Sequence, residues 1–412
     1  MERPGVVLAI VFVLCGTVST GCGRREDLSR PVTAAFALDL AFLREHTRPL
    51  VLGESSGPQV VVAPEYQGRV MTSTTGGAEA PSFGWIGRTA IAARSRQPHM
   101  NVFGGEDRFW LGPEGGQYSL YFKRNDPFDL DHWQVPEGFD WGAWDVESQS
   151  ATSARFRKRL SLTNYAGSAF EIDVQRTVRV LTAGEVATHL TVTPAGTVRS
   201  VAFESLNVVR NAGPEPWRAE SGLVSVWILG MFTPSPTTTI VIPFTDGGNA
   251  AGPIVNDAYF GKVPADRLVI RPPLLFFRGD GQYRSKIGLS PARATSLAGS
   301  YDSAAHVLTL VQYTRPAGAS RYVNSMWEIQ KDPYSGDAIN SYNDGPPAPG
   351  KPPLGPFYEL ETSSPALSLG AGELYEHVHR TFHFVGPEVE LDAIARATLR
   401  VPLSEIASAL GR

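Results

Sequence analysis

Cysteine is nearly absent from this chain, which has only Cys15 and Cys22. Cys15 follows an apolar run over residues 6–14, so Cys22 is the one expected to remain in a processed chain. A single cysteine excludes an internal disulfide and leaves no basis for a thiolate zinc site or thiol catalysis. Positive charge is also thin. The net charge is −4 and no run of Lys and Arg occurs, which argues against a nucleic-acid partner. Beyond the N-terminal run, no apolar stretch is long enough to form a membrane helix. No short internal period appears, which argues against a propeller or a solenoid. With 412 residues, 42% of them hydrophobic, the chain still has the material for a large core.

The N-terminus reads as targeting rather than structure. Arg3 supplies a positive charge and residues 6–14 a short apolar segment. Val18-Ser19-Thr20-Gly21-Cys22 follows, and small residues before a cysteine resemble the bacterial lipobox. Residues 1–22 are therefore expected to be a lipoprotein signal with Cys22 lipidated, residues 23–33 a polar tether, and residues 34–412 a single domain. Gly23 is no inner-membrane retention signal, so the expected location is the bacterial cell envelope. The anchor would be the outer membrane, with the domain facing the periplasm or the surface and touching the membrane through the lipid alone.

After one amphipathic helix over residues 34–46, the pattern is that of strands. Residues 60–62, 69–74, 118–122, 154–162, 170–181, 185–192, 224–229, 238–242, 268–270, 274–277, 306–313, 322–329, 357–361 and 374–384 alternate or carry β-branched residues. Thr182-Ala183-Gly184 reads as a hairpin turn between two of them. Residues 388–411 look helical again. Many short strands separated by turn residues imply an all-β fold, one large antiparallel sandwich with short helices at its two ends. The Pro/Gly-rich stretch 343–356 is expected to be a loop that leads into a strand.

The segment 101–117, NVFGGEDRFWLGPEGGQ, is the densest in chemistry. It holds Glu106, Asp107, Glu114, Arg108 and Trp110 among five glycines. Carboxylates, an Arg and a Trp side by side supply hydrogen-bond partners for hydroxyls and a flat face for ring carbons, which is what a sugar site requires. Glycine permits close approach of backbone to a ligand. The alternative is a tight, salt-bridged hairpin. Acids this dense repel unless a cation is shared, so Glu106 or Asp107 is expected to pair with an Arg.

VVAPEYQGRVMTSTTGG, GGEDRFWLGPEGG and FYELETSSPALSLGAGELYEHVHRTFHF together resemble the aldose epimerase (galactose mutarotase-like) superfamily. More narrowly, they resemble an uncharacterised family of exported bacterial proteins that shares these segments. The resemblance spans roughly residues 36–385 and implies a large antiparallel β-supersandwich. It also implies a Glu base and a His acid, since opening a hemiacetal removes the anomeric proton while protonating the ring oxygen. By motif position the base is Glu361, with Glu359, two residues earlier on the same strand face, as the alternative. The superfamily's Asn-His-x-x-Phe-Asn and His-Pro segments are missing here. His99, just before the Gly-Gly turn, is the candidate acid. His377, His379 and His383 share one strand face, with His377 and His379 as candidate substrate contacts; three such rings could also be metal ligands.

A second constellation lies in residues 331–345, where Asp337, Asn340, Asn343 and Asp344 offer oxygen ligands of the type calcium takes. Without calcium, Asn343 and Asp344 would shape the sugar site. Trp133, Trp141 and Trp144 are either core residues or stacking platforms. Glu106 or Glu114 with Glu361 could form a glycosidase pair of carboxylates. Three functions compete: an enzyme acting on carbohydrate, a non-catalytic carbohydrate-binding lipoprotein, and a structural envelope protein. No cofactor is required by any of them.

Overall fold

Residues 36–76, 81–248 and 251–411 are described by a computed structural model. The expected signal, lipobox and tether, Cys22 included, lie outside these residues. In chain order the strands are β1 (Leu50–Gly53), β2 (Gln59–Ala63), β3 (Arg69–Thr74), β4 (Arg108–Gly112), β5 (Asp145–Gln149), β6 (Ser153–Thr163), β7 (Ala169–Val180), β8 (Arg199–Asn211), β9 (Ser225–Phe232), β10 (Thr238–Pro243), β11 (Leu268–Arg271), β12 (Leu274–Arg278), β13 (Ser285–Leu289), β14 (Leu297–Asp302), β15 (Val307–Tyr313), β16 (Ile339–Asn343), β17 (Tyr358–Ser363) and β18 (Leu374–Val385). Helices are α1 (Phe36–His46), α2 (Arg88–Ala93), α3 (Glu137–Asp140), α4 (Ala183–Leu190), α5 (Glu388–Thr398) and α6 (Leu403–Ser408). None of the described helices is long and apolar enough to cross a membrane.

The strands form three antiparallel sheets: β1-β2-β3, the ten-stranded β11-β12-β10-β14-β15-β18-β8-β7-β6-β5, and the five-stranded β13-β16-β17-β9-β4. Strand periodicity of two explains how they stack. On β18, Phe382 and Phe384 point outward and join Leu391 and Ile394 of α5 and Ile406 of α6 in one apolar cluster. The alternate residues His377, His379, Thr381 and His383 are fully buried. They face the five-stranded sheet, where Thr362 Oγ1 of β17 lies 3.3 Å from His377 Nε2 and 2.9 Å from His379 Nδ1. Ile287, Ile339 and Leu360 of the five-stranded sheet pack with Ile240, Leu275, Phe277 and Val311 of the ten-stranded one. The five-stranded sheet therefore has an inner face in the sandwich and an outer face free to build a site.

Several expected elements differ. Residues 185–192 are not a strand, and 182–184 is not a hairpin turn. Thr182 caps α4 through a capping box in which its hydroxyl accepts from Glu185 N while the Glu185 carboxylate accepts from Thr182 N. Val186 and Leu190, four apart, carry the helix's buried face. Residues 118–122 form turns, because Ser119 Oγ accepts from Tyr121 N and its own N–H bonds Gly116. Residues 322–329 contribute one bridge, at Tyr322, and no strand. The C-terminal helical segment breaks in two at Pro402, which starts α6.

Candidate functional site

Register places the outer-face residues of five strands in rows. Lys286, Tyr342, Glu359 and Met231 are successive cross-strand partners on β13, β16, β17 and β9. The next row runs Asn340, Glu361, Leu229 and Arg108, and the third Ser363, Trp227 and Trp110. Residues from strands far apart in sequence thus project from one face. Loops close over them to leave a cavity of about 160 Å³. Arg108, Glu114, Arg284, Lys286, Asp344 and Glu359 give it charge, and Trp110, Trp133, Trp227, Trp327, Phe260 and Tyr342 give it aromatic walls.

The charges are interlocked. Arg108 forms an ion pair with Glu359 and lies over the Trp110 ring at 4.9 Å. Lys286 Nζ donates to Glu361 Oε2 at 2.9 Å, and Trp227 Nε1 donates to the same oxygen at 2.9 Å. Lys286 also sits 4.7 Å over Trp227. Burial pushes the Glu359 carboxyl up to about 8, even with Arg108 beside it and with Glu361 adding repulsion. Burial likewise raises Glu114, helped by the Glu361 charge. Burial alone would lower the Lys286 ammonium, but Glu361 and Glu114 outweigh it and hold the value above the usual range. Two carboxyls that hold protons readily therefore share a cavity with an ammonium that stays charged.

The cavity gathers six of the residues singled out from sequence: Arg108, Trp110, Glu114, Trp133, Asp344 and Glu359. Glu361 lies just beneath them, fully buried under Lys286 and Trp227 rather than lining the wall. The others are elsewhere. Glu106 is in the sandwich interior, its Oε2 2.9 Å from His383 Nε2 and accepting from Ser73 Oγ at 2.9 Å. Asp107 pairs there with Arg176 at 2.6 Å, both fully buried. His377 and His379 are on that inner side too, and burial pushes them down to about 3 and about 4. His99 is exposed and donates from Nδ1 to the Trp133 carbonyl at 2.7 Å. Among the described residues, no histidine lines the cavity.

In the second constellation Asn340 and Asn343 lie on β16, with Asp337 just before that strand and Asp344 just after it. Asn343 accepts from Gly281 N at 2.8 Å and donates to the Tyr283 carbonyl at 2.9 Å. Asp344 accepts from Tyr342 Oη at 2.9 Å and Gly355 N at 2.8 Å. Asp337 accepts from Tyr259 Oη at 2.6 Å, and burial pushes it up to about 6. These oxygens are committed to protein donors, and among the described residues no cluster of acidic or thiol-imidazole ligands gathers to hold a metal. The Gly-Gly turn has a packing purpose as well. A Cβ on Gly104 (φ +84°) would meet the Trp85 carbonyl at 2.0 Å, so glycine there admits neighbouring backbone rather than ligand.

Lys286, Trp227, Arg284, Phe260 and Trp327 escaped the reading of the sequence. A Lys next to Ile287 in the short strand-like stretch SKIGL was the available signal.

Residues 34–410 match the model of DUF6786, a family of unknown function. The chain belongs to that family. No curated protein matches this DUF6786 chain in sequence. Solved structures similar to it include a putative aldose 1-epimerase from Escherichia coli K12, at 12% identity and TM-score 0.48, covering 82% of this chain and 99% of that one. A galactose mutarotase-like protein from Lactobacillus casei is similar at 11% identity and TM-score 0.45, covering 82% and 100%. An aldose epimerase homologue from C. elegans is similar at 10% identity and TM-score 0.44, again covering 82% and 100%.

Proposed function

We propose that this protein binds a carbohydrate in the cavity on the outer face of the five-stranded sheet and acts on it by acid–base chemistry. The supporting observation is the convergence of Glu114, Glu359, Lys286 and Arg108 on one aromatic-walled cavity. Aromatic faces take the apolar side of a sugar ring, and the charged groups take its hydroxyls. Burial raises the Glu359 carboxyl to about 8 even with Arg108 beside it, which suits a general acid. Glu114 is the carboxyl across the cavity for the complementary step. Glu361 occupies the base position implied by the family resemblance, but its Oε2 holds Lys286 and Trp227, so we assign it the positioning of the ammonium.

The test is calorimetry of the soluble domain against a panel of mono- and oligosaccharides, followed by polarimetry and reducing-end assays on any ligand that binds. Absence of binding across the panel would reject the proposal. A second reading, a non-catalytic carbohydrate-binding protein, is favoured by the lack of a histidine among the described residues that line the cavity. It expects binding without turnover in every assay.

The cellular setting rests on the N-terminal sequence alone. We propose a lipoprotein of the bacterial envelope, lipidated at Cys22 and held at the outer membrane. Labelling with a radioactive fatty acid should mark the wild-type chain and not Cys22→Ser; equal labelling of both would discard the idea.

A further inference from the structure

The cavity is charged at its floor and apolar at its mouth. The floor is the sheet itself, where Lys286 and Glu359 are buried. The mouth is set by loops. Leu130 and Leu354, from separate loops, both line the cavity, yet 45% of Leu130 and 50% of Leu354 remain exposed. Phe260 stands beside them, half-buried, with the Arg284 guanidinium 3.7 Å over its ring. Trp133 and Trp327 stack against each other on the same wall, ring centres 6.0 Å apart. Half-exposed leucines at a cavity mouth leave apolar surface in water, and such surface next to a polar floor marks a place that a ligand covers. A free monosaccharide would use the floor and leave the mouth wet.

We infer that the ligand is a glycoside carrying an apolar, aromatic substituent, its sugar on the sheet and its aglycone between Leu130 and Leu354. This rests on the carbohydrate reading above and narrows it. The aromatic ring meets the wall formed by Trp133, Trp327 and Phe260. The two half-exposed leucines flank it at the water boundary. The floor donors and acceptors then remain for the hydroxyls. The opposite orientation would put hydroxyls against leucine and an apolar ring on the Lys286 ammonium, which costs on both counts.

The experiment is calorimetry with free monosaccharides, their phenyl glycosides of both anomeric configurations, and phenol. We expect at least one phenyl glycoside to bind about tenfold or more tighter than its free sugar, the gain expected for covering a phenyl ring. Phenol alone should bind more weakly than that glycoside. The double variant Leu130→Ser, Leu354→Ser changes two exposed residues and should fold normally. It should remove most of the phenyl advantage and leave free-sugar affinity unchanged. Equal affinity for free sugar and phenyl glycoside would overturn this inference and leave the carbohydrate reading intact. Phenol binding as tightly as the glycoside would also overturn it, by showing a general apolar pocket. No binding by any sugar, free or substituted, would overturn the carbohydrate reading and this inference with it.

Discussion

Strand β17 serves two polar regions that differ in kind. On its outer face Glu359 and Glu361 meet Arg108, Lys286 and Trp227 at the cavity. On its inner face Thr362 meets His377 and His379 between the sheets. Beyond them in the same interior lie the Glu106–His383 and Asp107–Arg176 pairs. Both regions are deeply buried and both carry charge. The outer one opens to a cavity, and its carboxyls at Glu114 and Glu359 are raised. The inner one is fully buried between the sheets, and its acids pair with His383 and Arg176. A dense acidic motif such as Glu106-Asp107-Arg108 therefore divides. Its first two residues fasten the sandwich, and the third enters the site. Charge density in a sequence signals burial with a partner, and only an adjoining cavity turns that into chemistry.

The largest expected effect tests the inner region as structure. Asp107→Ala leaves the fully buried Arg176 without its carboxylate, and an uncompensated buried charge costs about 3–5 kcal/mol. Urea denaturation should show that loss. A change below about 1 kcal/mol would erase the distinction drawn between the two faces.

Next is the outer region as chemistry. Glu359→Gln keeps an acceptor for Arg108 and removes the titrating proton. Turnover of any substrate found should fall roughly a hundredfold, the usual weight of a general acid. Unchanged turnover would shift the acid's role to Glu114. The same variant sharpens the comparison through pH. Glu359 stands near 8 in the folded chain against an ordinary value of 4.5, so between those values the folded state holds a proton that the unfolded state has lost. Stability contributed by this group is present at low pH and declines as pH rises through that window. Melting temperatures of the wild type minus those of Glu359→Gln should fall from pH 5 to pH 8, and a flat difference would contradict the raised value.

The sequence disclosed the outer region in part. Arg108 and Trp110 are two apart, as are Glu359 and Glu361, and strand parity alone puts each pair on one face. What parity does not give is which strands become neighbours. Lys286 reaches Glu361 only because β13 pairs with β16 and β16 with β17, and Trp227 only because β9 flanks β17. His99 misled for the same reason, since closeness to the Gly-Gly turn along the chain says nothing of where a loop carries it. The three histidines of β18 were rightly placed on one face by alternation. Whether that face was inner or outer depended on α5 and α6 covering Phe382 and Phe384. The helix α4 was legible throughout in Thr182-x-x-Glu185, and its β-branched and small residues drew the reading toward a strand.

The smallest effect compares the two faces directly by deleting one hydrogen-bonding group from each. Thr362→Val is nearly isosteric and removes the hydroxyl that lies between His377 and His379. Two fully buried imidazoles then lose a partner, and a buried polar group left unmade costs about 1–3 kcal/mol. Trp227→Phe removes the Nε1 donor to Glu361, but Glu361 keeps Lys286. The cost there should be about 1 kcal/mol or less beyond lost packing. The second readout separates the regions more cleanly than stability does. Trp227→Phe changes the ring under the Lys286 ammonium and the cavity wall, so ligand affinity should shift with it. Thr362→Val lies behind the sheet and should leave affinity alone. If Thr362→Val weakened ligand binding as much as Trp227→Phe, the two faces of the sheet would be one coupled site, and the division between them would have to be abandoned.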